Sequence, residues 1–353
     1  TSSGPITADS VILACGRLTE PRIPELPGLE TFAGELVHSA RWRDDLDVEG
    51  KRVAVIGTGA SAVQLVPHLA ETASEVVVFQ RSAPWVVPRA DRAYSVEELN
   101  GFATNPAVID ALRDEQFVAG EAMFPARAGN RAALDAARAE ALGHLRQQVP
   151  DATLRTALTP DYEIGCKRRL ISSDYYPTFT SGRASLEPSA LRHIDQGTLV
   201  AASGARYEAD VVVFATGFES TQQPYADSIR GLRGETLAEH WADGMRAFAS
   251  TSVHGFPNLF IVNGPNAGLG HNSSVYMIET QLDYILGALN YGRNNQTALD
   301  VSAQAEREYT ELIDANRLAH GRMRQLVPRP AKRPADPALA RLRNSLPSTQ
   351  RHV

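Results

Sequence analysis

The sequence is poor in cysteine, in long apolar runs and in net charge, and each shortage argues against a class of protein. Its 353 residues include two cysteines, Cys15 and Cys166, which form no CxxC pair. This argues against a cysteine-rich metal site and favours a reducing compartment, the cytoplasm. No apolar run approaches the ~18 residues that a membrane-spanning helix needs. A formal charge of −6 gives no reason to expect nucleic acid or an anionic membrane as a partner.

The chain also lacks an initiator methionine and a signal peptide, and it opens on a strand with little ahead of it. Residues 8–16 (ADSVILACG) predict a buried strand closed by small residues. A similar stretch, ADVVVFATG, occurs at residues 209–217. We therefore expect that Thr1 is not the natural start, and that the two strands are related parts of one architecture.

Two apolar runs with a helix between them predict a βαβ unit. Residues 51–57 (KRVAVIG) and 75–80 (EVVVFQ) are the strands, and residues 57–70 form a glycine turn that runs into a helix. This spacing predicts a parallel sheet. Pro67 lies inside the predicted helix, where it should kink or shorten it.

The segments that follow alternate between helical and strand character. Residues 92–155 predict a helical insertion, because apolar side chains recur at helical spacing at Leu134, Ala137, Ala141, Leu145 and Val149. Short strands are expected near residues 185–186, 198–201 and 258–263. A long amphipathic helix is predicted by Val275, Ile278, Leu282, Ile285 and Leu289. The tail from residue 317 has nine Lys or Arg, one Asp and five Pro, which indicates a poorly ordered terminus or a basic tail for an acidic partner.

The sharpest motif is GTGASA at residues 57–62, which matches G-x-G-x-x-[GA] between a strand and a helix. Gly57 permits the tight turn, Gly59 lets the backbone approach a pyrophosphate, and Ala62 lets the helix pack on the strand. The phosphates would face free N–H groups at the helix start. The predicted cofactor-binding residues here are Gly57, Thr58, Gly59, Ser61, Ala62 and Gln64. The alternative is a glycine-rich turn without a ligand.

The end of the second strand indicates which nucleotide binds. NADH sites usually have Asp or Glu there, but this chain reads Gln80-Arg81-Ser82. With no carboxylate to repel a 2′-phosphate, and with Arg81 as a forked donor, Arg81 and Ser82 predict NADPH. The alternative is that Arg81 is a solvated charge at a strand end.

Residues 32–42 (FAGELVHSARW) match F-x-G-x-x-x-H-x-x-x-W through Phe32, Gly34, His38 and Trp42. This pattern resembles the fingerprint of type I Baeyer–Villiger monooxygenases, relatives of the flavin-containing monooxygenases. Arg43 follows the Trp where that family usually has Pro. The glycine turn lies at the expected distance, and residues 164–177 and 255–273 also resemble segments of the family.

The resemblance implies an α/β, Rossmann-like flavoprotein with two dinucleotide-binding domains, the NADPH domain being inserted into the FAD domain. Residues 1–45 would belong to the FAD domain and the inter-domain linker, and residues 46–205 to the NADPH domain with its helical insertion. Residues 206–316 would return to the FAD domain, and residues 317–353 would be the tail. The two similar strands would mark the two crossings between domains.

The resemblance also implies the chemistry. NADPH would reduce FAD, O2 would add to form a flavin peroxide, and this peroxide would attack a ketone to give an ester or lactone; related enzymes oxygenate nitrogen or sulfur. Arg168 matches the essential arginine, which would stabilise the anionic peroxide. Lys167 matches a lysine near the 2′-phosphate. Asn263, Gly264 and Pro265 would approach the flavin, unless they form a plain strand-terminating turn. Without the resemblance, Lys167 and Arg168 indicate an ordinary basic turn. No metal is expected.

Two departures from the family leave two functions open. No G-x-G-x-x-G precedes residue 57, so the FAD fingerprint is expected ahead of Thr1, and the C-terminal end is basic and Pro-rich where the family closes with an aromatic segment. The chain is then either most of a flavin monooxygenase or an NADPH-binding module without catalysis. A flavin disulfide reductase is disfavoured because the chain has no redox CxxC. The substrate and the oligomeric state are not predicted.

Overall fold

The computed structural model describes residues 4–319, with side chains through residue 315. The strands, numbered in chain order, are β1 (Val11–Leu13), β2 (Glu35–His38), β3 (Arg52–Ile56), β4 (Glu75–Phe79), β5 (Val86–Val87), β6 (Leu170–Ile171), β7 (Ser185–Glu187), β8 (Leu191–Asp195), β9 (Thr198–Ala201), β10 (Arg206–Tyr207), β11 (Val211–Phe214) and β12 (Leu259–Ile261). The helices are α1 (Ala60–Thr72), α2 (Val96–Thr104), α3 (Pro106–Glu121), α4 (Phe124–Arg127), α5 (Arg131–Gln148), α6 (Ala152–Ala157), α7 (Tyr175–Thr180), α8 (Leu237–His240), α9 (Ser274–Asn295) and α10 (Ala303–Ala319). The predicted α/β class is confirmed. Most of the predicted tail lies outside the described residues.

The largest sheet is parallel and five-stranded, in the order β2-β11-β3-β4-β7. Its central strands are almost wholly apolar because both faces of the sheet are covered. β3, α1 and β4 form the predicted βαβ unit, with Ile56 beside Phe79. The carboxyl ends of all five strands therefore meet at one edge, where ligands bind in folds of this type.

Helix α1 packs on one face of this sheet and the antiparallel sheet β10-β9-β8 packs on the other. The buried side of α1 consists of Ala62, Val63, Val66, Leu69 and Ala70. The predicted shortening at Pro67 is wrong, because α1 continues through it to Thr72. A proline inside a helix costs about 3 kcal/mol, and each buried aliphatic side chain returns about 1.5–3 kcal/mol, so the packed face outweighs the lost hydrogen bond.

The two similar strands lie in different sheets. β1 pairs in parallel with β12, with Val11 opposite Leu259, to form a separate two-stranded sheet. β11 lies between β2 and β3 in the large sheet. The domain boundary predicted at residue 206 therefore falls before a strand that pairs with β3. The predicted burial of β1 is also wrong: Val11 and Ile12 are 50% and 44% exposed, because β12 is its one strand partner among the described residues.

Helices α2 to α6 occupy the segment for which a helical insertion was predicted. Ala141, Leu145 and Val149 are buried, as the spacing predicts. The insertion contacts α9, where the rings of Phe117 and Tyr276 lie 4.4 Å apart.

Helix α9 is the predicted long helix, and its buried side agrees in part with the predicted one, since Ile278 and Leu289 are half-buried. Ile285 is buried as expected, whereas Val275 and Leu282 are 60% and 41% exposed and Gln281 is buried instead. Within residues 4–319, no helix combines the length and apolar character needed to cross a membrane.

Candidate functional site

The glycine turn after β3 exposes its backbone to an open space beside the start of α1. Gly57 has a φ of 110°, and a Cβ added there would lie 2.7 Å from the carbonyl oxygen of Ala215, so a larger residue does not fit. A Cβ added at Gly59 would meet none of the described residues within 4 Å. No side chain in the described range caps α1, so its first amide groups can bind an anion in this space.

The turn forms one wall of a cleft of about 1430 Å³ at the carboxyl edge of the large sheet. The cleft brings together the predicted residues Trp42, Gly57, Thr58, Gly59, Ser61, Arg81, Ser82, Lys167 and Arg168. Ala62 is wholly buried beneath the turn, which is the packing expected of the third motif position. Gln64 is not brought to the cleft: it is exposed, and its amide donates to Ala60 O of the same helix at 2.9 Å.

Two cations and a hydroxyl meet at the end of β4. The Nζ of Lys167 donates to Ser82 Oγ at 2.8 Å, and Thr58 Oγ1 donates to Ser82 O at 2.8 Å, which holds this loop against the glycine turn. Burial and the nearby charge of Arg81 hold the pKa of Lys167 below its usual range. Neither cation forms an ion pair with a described residue, so both can neutralise an anion in the cleft.

Arg168 lines the same cleft as Arg81 and Lys167. Unlike Arg169, it has no carboxylate partner within the described chain. Arg169 is engaged elsewhere, with its NH1 3.6 Å from a Glu140 carboxylate oxygen. Arg168 is exposed, lines the cleft and makes no hydrogen bond or ion pair within the described part of the chain. A guanidinium keeps its charge at any ordinary pH, so Arg168 provides a fixed positive charge to a ligand in the cleft.

The first half of the F-x-G-x-x-x-H-x-x-x-W segment is a close backbone contact. A Cβ added to Gly34 would lie 2.3 Å from Asp210 O and 2.8 Å from the ring of Phe32. Phe32 packs against the core on the β8–β10 side of the large sheet. Gly34 therefore lets β2 start directly beside the residue that precedes β11.

The second half of this segment ties two strand ends together. His38, at the end of β2, is 1% exposed. Its Nε2 donates to Gly217 O at 3.0 Å, and its Nδ1 accepts from the amide of Ala40 at 3.1 Å. Both bonds require the neutral Nε2–H form, and burial lowers the pKa of His38 accordingly. Trp42 then reaches the cleft, where it is 38% exposed.

Acid should weaken the two hydrogen bonds of the His38 ring. Its lowered pKa means that its contribution to the free energy of unfolding is complete above the ordinary value of 6.5 and is lost as the pH falls through the folded value. Denaturant unfolding should therefore show the stability gap between wild type and His38→Asn narrowing from about pH 7 to about pH 5. A gap that stays constant over this interval contradicts a neutral His38.

A second, smaller cavity of about 40 Å³ lies where β1 and β12 end. It brings together the predicted residues Asn263, Gly264 and Pro265. The amide of Asn263 donates to Gln281 Oε1 at 2.8 Å, which fixes this turn. The side-chain oxygens of Asn263 and Gln223 are buried without a hydrogen-bond partner among the described residues. Buried acceptors of this kind require donors, and a ligand in the cavity could supply them.

Sequence reasoning missed part of the large cleft. Residues 215–219, which follow β11, line the cleft directly beside the glycine turn. Their signal was present, since ADVVVFATG ends a parallel strand and such ends carry ligand-binding loops. Tyr162 also lines the cleft, and nothing in a single sequence distinguishes it from a packing residue.

Proteins of known sequence resemble the chain over most of its length. Residues 5–103 match the flavin-binding monooxygenase-like family. A Baeyer–Villiger monooxygenase of Streptomyces coelicolor is 41% identical over 315 residues, which cover 89% of this chain and 61% of that protein. A Baeyer–Villiger monooxygenase of Pseudomonas aeruginosa is 37% identical over 308 residues, covering 87% of this chain and 58% of that protein. The chain thus spans about three fifths of the length of these relatives.

A solved crystal structure also resembles this chain in its fold. The crystal structure of OTEMO in complex with FAD and NADP matches with a TM-score of 0.77 and 26% identity, covering 89% of this chain and 66% of that one. Sequence and fold therefore agree: the chain is similar to flavin-binding monooxygenases and, among them, to Baeyer–Villiger monooxygenases.

Proposed function

We propose that this chain provides the NADPH site and part of the FAD site of an enzyme that inserts one oxygen atom of O2 into a ketone, giving an ester or lactone. The observation that carries the proposal is a single cleft shared by the glycine turn, the cation pair Arg81 and Lys167, and the unpaired Arg168. Two relatives named as Baeyer–Villiger monooxygenases, and a similar structure that holds FAD and NADP, support it.

The residues of the large cleft fit NADPH. The open space at Gly59 and the uncapped start of α1 suit the pyrophosphate. Arg81, Ser82 and Lys167 lie at the end of β4, where the ribose 2′ position falls in this type of fold. A 2′-phosphate would satisfy both cations, whereas the 2′-hydroxyl of NADH would leave them without an anion.

The small cavity fits the edge of a flavin. Asn263 and Gln223 offer buried acceptor oxygens that no described residue satisfies, and Gly264 and Pro265 line the same cavity. Asn263, Gly264 and Pro265 would therefore help to hold FAD. Bound FAD would supply the redox chemistry with NADPH and O2.

Arg168 is proposed as the catalytic residue of this chain. Oxygen transfer from O2 to a ketone builds negative charge on the reacting oxygen, and a fixed cation stabilises such charge most strongly where water is excluded. Arg168 is suited to this role because its guanidinium remains protonated after desolvation and, within the described chain, is not neutralised by a partner.

We also propose which segments of the chain belong to the NADPH domain and which to the FAD domain. Residues 46–217, with the helical insertion 92–155, would form the NADPH domain, and the flanking segments around β1 and β12 would belong to the FAD domain. This extends the expected NADPH segment to include β11, which pairs with β3.

The two cysteines, neither of them in a disulfide, favour the cytoplasm.

Arg81→Asp should change cofactor preference. It removes a charge-assisted partner of the 2′-phosphate and adds a repelling carboxylate, so NADP⁺ affinity should fall by about 100-fold, while NAD⁺ affinity should change by about threefold at most. Isothermal titration with both nucleotides measures this. Arg183→Asp, which makes the same charge change at an exposed site outside the cleft, is the matched control. Equal losses for both nucleotides in Arg81→Asp would contradict the NADPH assignment.

The visible spectrum of the purified protein separates the proposed enzyme from a bare nucleotide-binding module. Two proteins are expressed and purified: this chain alone, and the chain extended by any coding sequence that lies upstream of it. Each is incubated with FAD and NADPH. Bound flavin that NADPH bleaches under anaerobic conditions supports the proposal. NADPH binding with no flavin absorbance in either form would favour the module instead.

A further inference from the structure

Tyr162 lies under the ammonium group of Lys167 and has no part in the function proposed above. The Nζ of Lys167 is 4.2 Å from the centre of the Tyr162 ring, within the ~6 Å over which an aromatic face attracts a cation. The other contact of this ammonium within the described chain is its hydrogen bond to Ser82 Oγ. The ring and the hydroxyl thus hold the charge from two sides.

Tyr162 is itself held in place from outside the cleft. The indole N–H of Trp85, a residue only 4% exposed, donates to Tyr162 O at 3.0 Å. The two rings meet edge to face, with centres 6.5 Å apart. Tyr162 is half-buried and lines the cleft, so its ring is a rigid surface at the site where the nucleotide would bind.

Lys167 needs such support more than Arg81 does. Its side chain is long and flexible, and its ammonium is destabilised by partial burial and by the positive charge of Arg81. Without an attractive surface it would gain free energy by turning out to solvent, because a free lysine side chain recovers about 2 kcal/mol of rotamer entropy. An aromatic face offsets this without neutralising the charge.

We propose that Tyr162 is a positioning residue for nucleotide selectivity, whose ring holds the Lys167 ammonium beside Arg81 so that both cations meet the 2′-phosphate of NADPH. This inference rests on the proposed NADPH site and deepens it. It requires that Tyr162 affect NADP⁺ and not NAD⁺, that the ring rather than the hydroxyl matter, and that the effect pass through Lys167.

A double-mutant cycle tests all three requirements. NADP⁺ and NAD⁺ dissociation constants are measured by isothermal titration for wild type, Tyr162→Leu, Tyr162→Phe, Lys167→Met and the double variant Tyr162→Leu/Lys167→Met. Tyr162→Leu should weaken NADP⁺ binding about fivefold, as expected for one cation–π contact. Its NAD⁺ affinity should stay within about twofold of wild type, which also shows that the variant is folded. Tyr162→Phe should match wild type for both nucleotides, and Tyr162→Leu should add no further loss in the Lys167→Met background.

The outcomes that overturn the inference are distinct from those that overturn the proposed function. Equal losses for the two nucleotides in Tyr162→Leu would show a structural role, as would a Tyr162→Phe variant that is equally weak. Losses that add fully to those of Lys167→Met would show that Tyr162 does not act through Lys167. If wild type prefers NADP⁺ and Tyr162→Leu keeps the same preference, the inference about Tyr162 is wrong and the NADPH assignment stands. A wild type with no preference for NADP⁺ overturns both it and the NADPH assignment.

Discussion

Arg168→Ala should leave the rate of NADPH-driven flavin reduction close to that of wild type and reduce ester formation by about 10²- to 10³-fold or more, the effect of removing one group that stabilises developing charge. The first half of this expectation follows because Arg81, Ser82 and Lys167, which would select the nucleotide, stay in place. The second follows because Arg168 lines the cleft and makes no hydrogen bond or ion pair within the described chain, so alanine there removes a charge that faces the ligand. Anaerobic stopped-flow reduction and product analysis by gas chromatography separate the two halves.

Arg169→Ala is the matched control for this experiment. It removes the same charge one residue further along the chain, from a side chain that contacts Glu140 and not the cleft. Both rates should remain near those of wild type. Normal ester yield from Arg168→Ala would exclude the proposed catalytic role, and slowed flavin reduction in that variant would assign Arg168 to nucleotide binding instead.

Glu306→Ala should lower the free energy of unfolding by about 3–5 kcal/mol, the usual effect of removing one member of a buried charge group. Glu306, on α10, is 3% exposed. Its carboxylate accepts from His240 Nε2 at 3.2 Å, Arg246 Nε at 3.3 Å and the amide of His254 at 3.0 Å. Alanine would leave all three donors without this acceptor. Calorimetry should show the loss as a drop of ~10 °C in the lowest unfolding transition.

Glu308→Ala and acid titration provide the controls. Glu308 lies on the same helix, is exposed, and accepts from Gln304, so its loss should cost well under about 1 kcal/mol. Burial alone would raise the pKa of Glu306, but hydrogen bonds from His240 and the His254 amide outweigh burial and hold it below 4.5. Its contribution is therefore complete above that value and is lost as the pH falls through the folded pKa. The stability gap between wild type and Glu306→Gln should close in acid, and a gap that persists there would contradict an ionised Glu306.

The parts of the fold that depend on local pattern could be predicted from the sequence. β3, the glycine turn, α1 and β4 follow from two apolar runs and a motif whose residues each have a steric reason, as the Cβ collision at Gly57 shows. The helical insertion likewise follows from the spacing of Ala141, Leu145 and Val149. The missing carboxylate at Gln80-Arg81-Ser82 could be read from the sequence as a preference for NADPH, whereas Lys167 was expected only through the family resemblance; the structure places Arg81 and Lys167 at the same cleft.

The remainder depends on long-range pairing, which a single sequence does not encode locally. β1 pairs with β12, with Val11 opposite Leu259 far along the chain, and β11 inserts between β2 and β3 although its sequence resembles that of β1. Apolar runs of this kind indicate that a strand forms, but not which strands it pairs with or how far it is buried. Glu306 was missed for the same reason, because a carboxylate on a polar helix predicts exposure until its partners are known.

The fate of labelled oxygen tests the proposed reaction most directly. The protein, loaded with FAD, is supplied with NADPH and ¹⁸O₂ and offered a panel of ketones that begins with cyclohexanone, with an amine and a sulfide in parallel reactions, and the products are examined by mass spectrometry. We expect one ¹⁸O atom in each ester or lactone, formed with NADPH and much more slowly with NADH. NADPH consumption that releases hydrogen peroxide with no labelled ester from any ketone, or labelled oxygen on an amine or sulfide in place of a ketone, would contradict the proposed reaction.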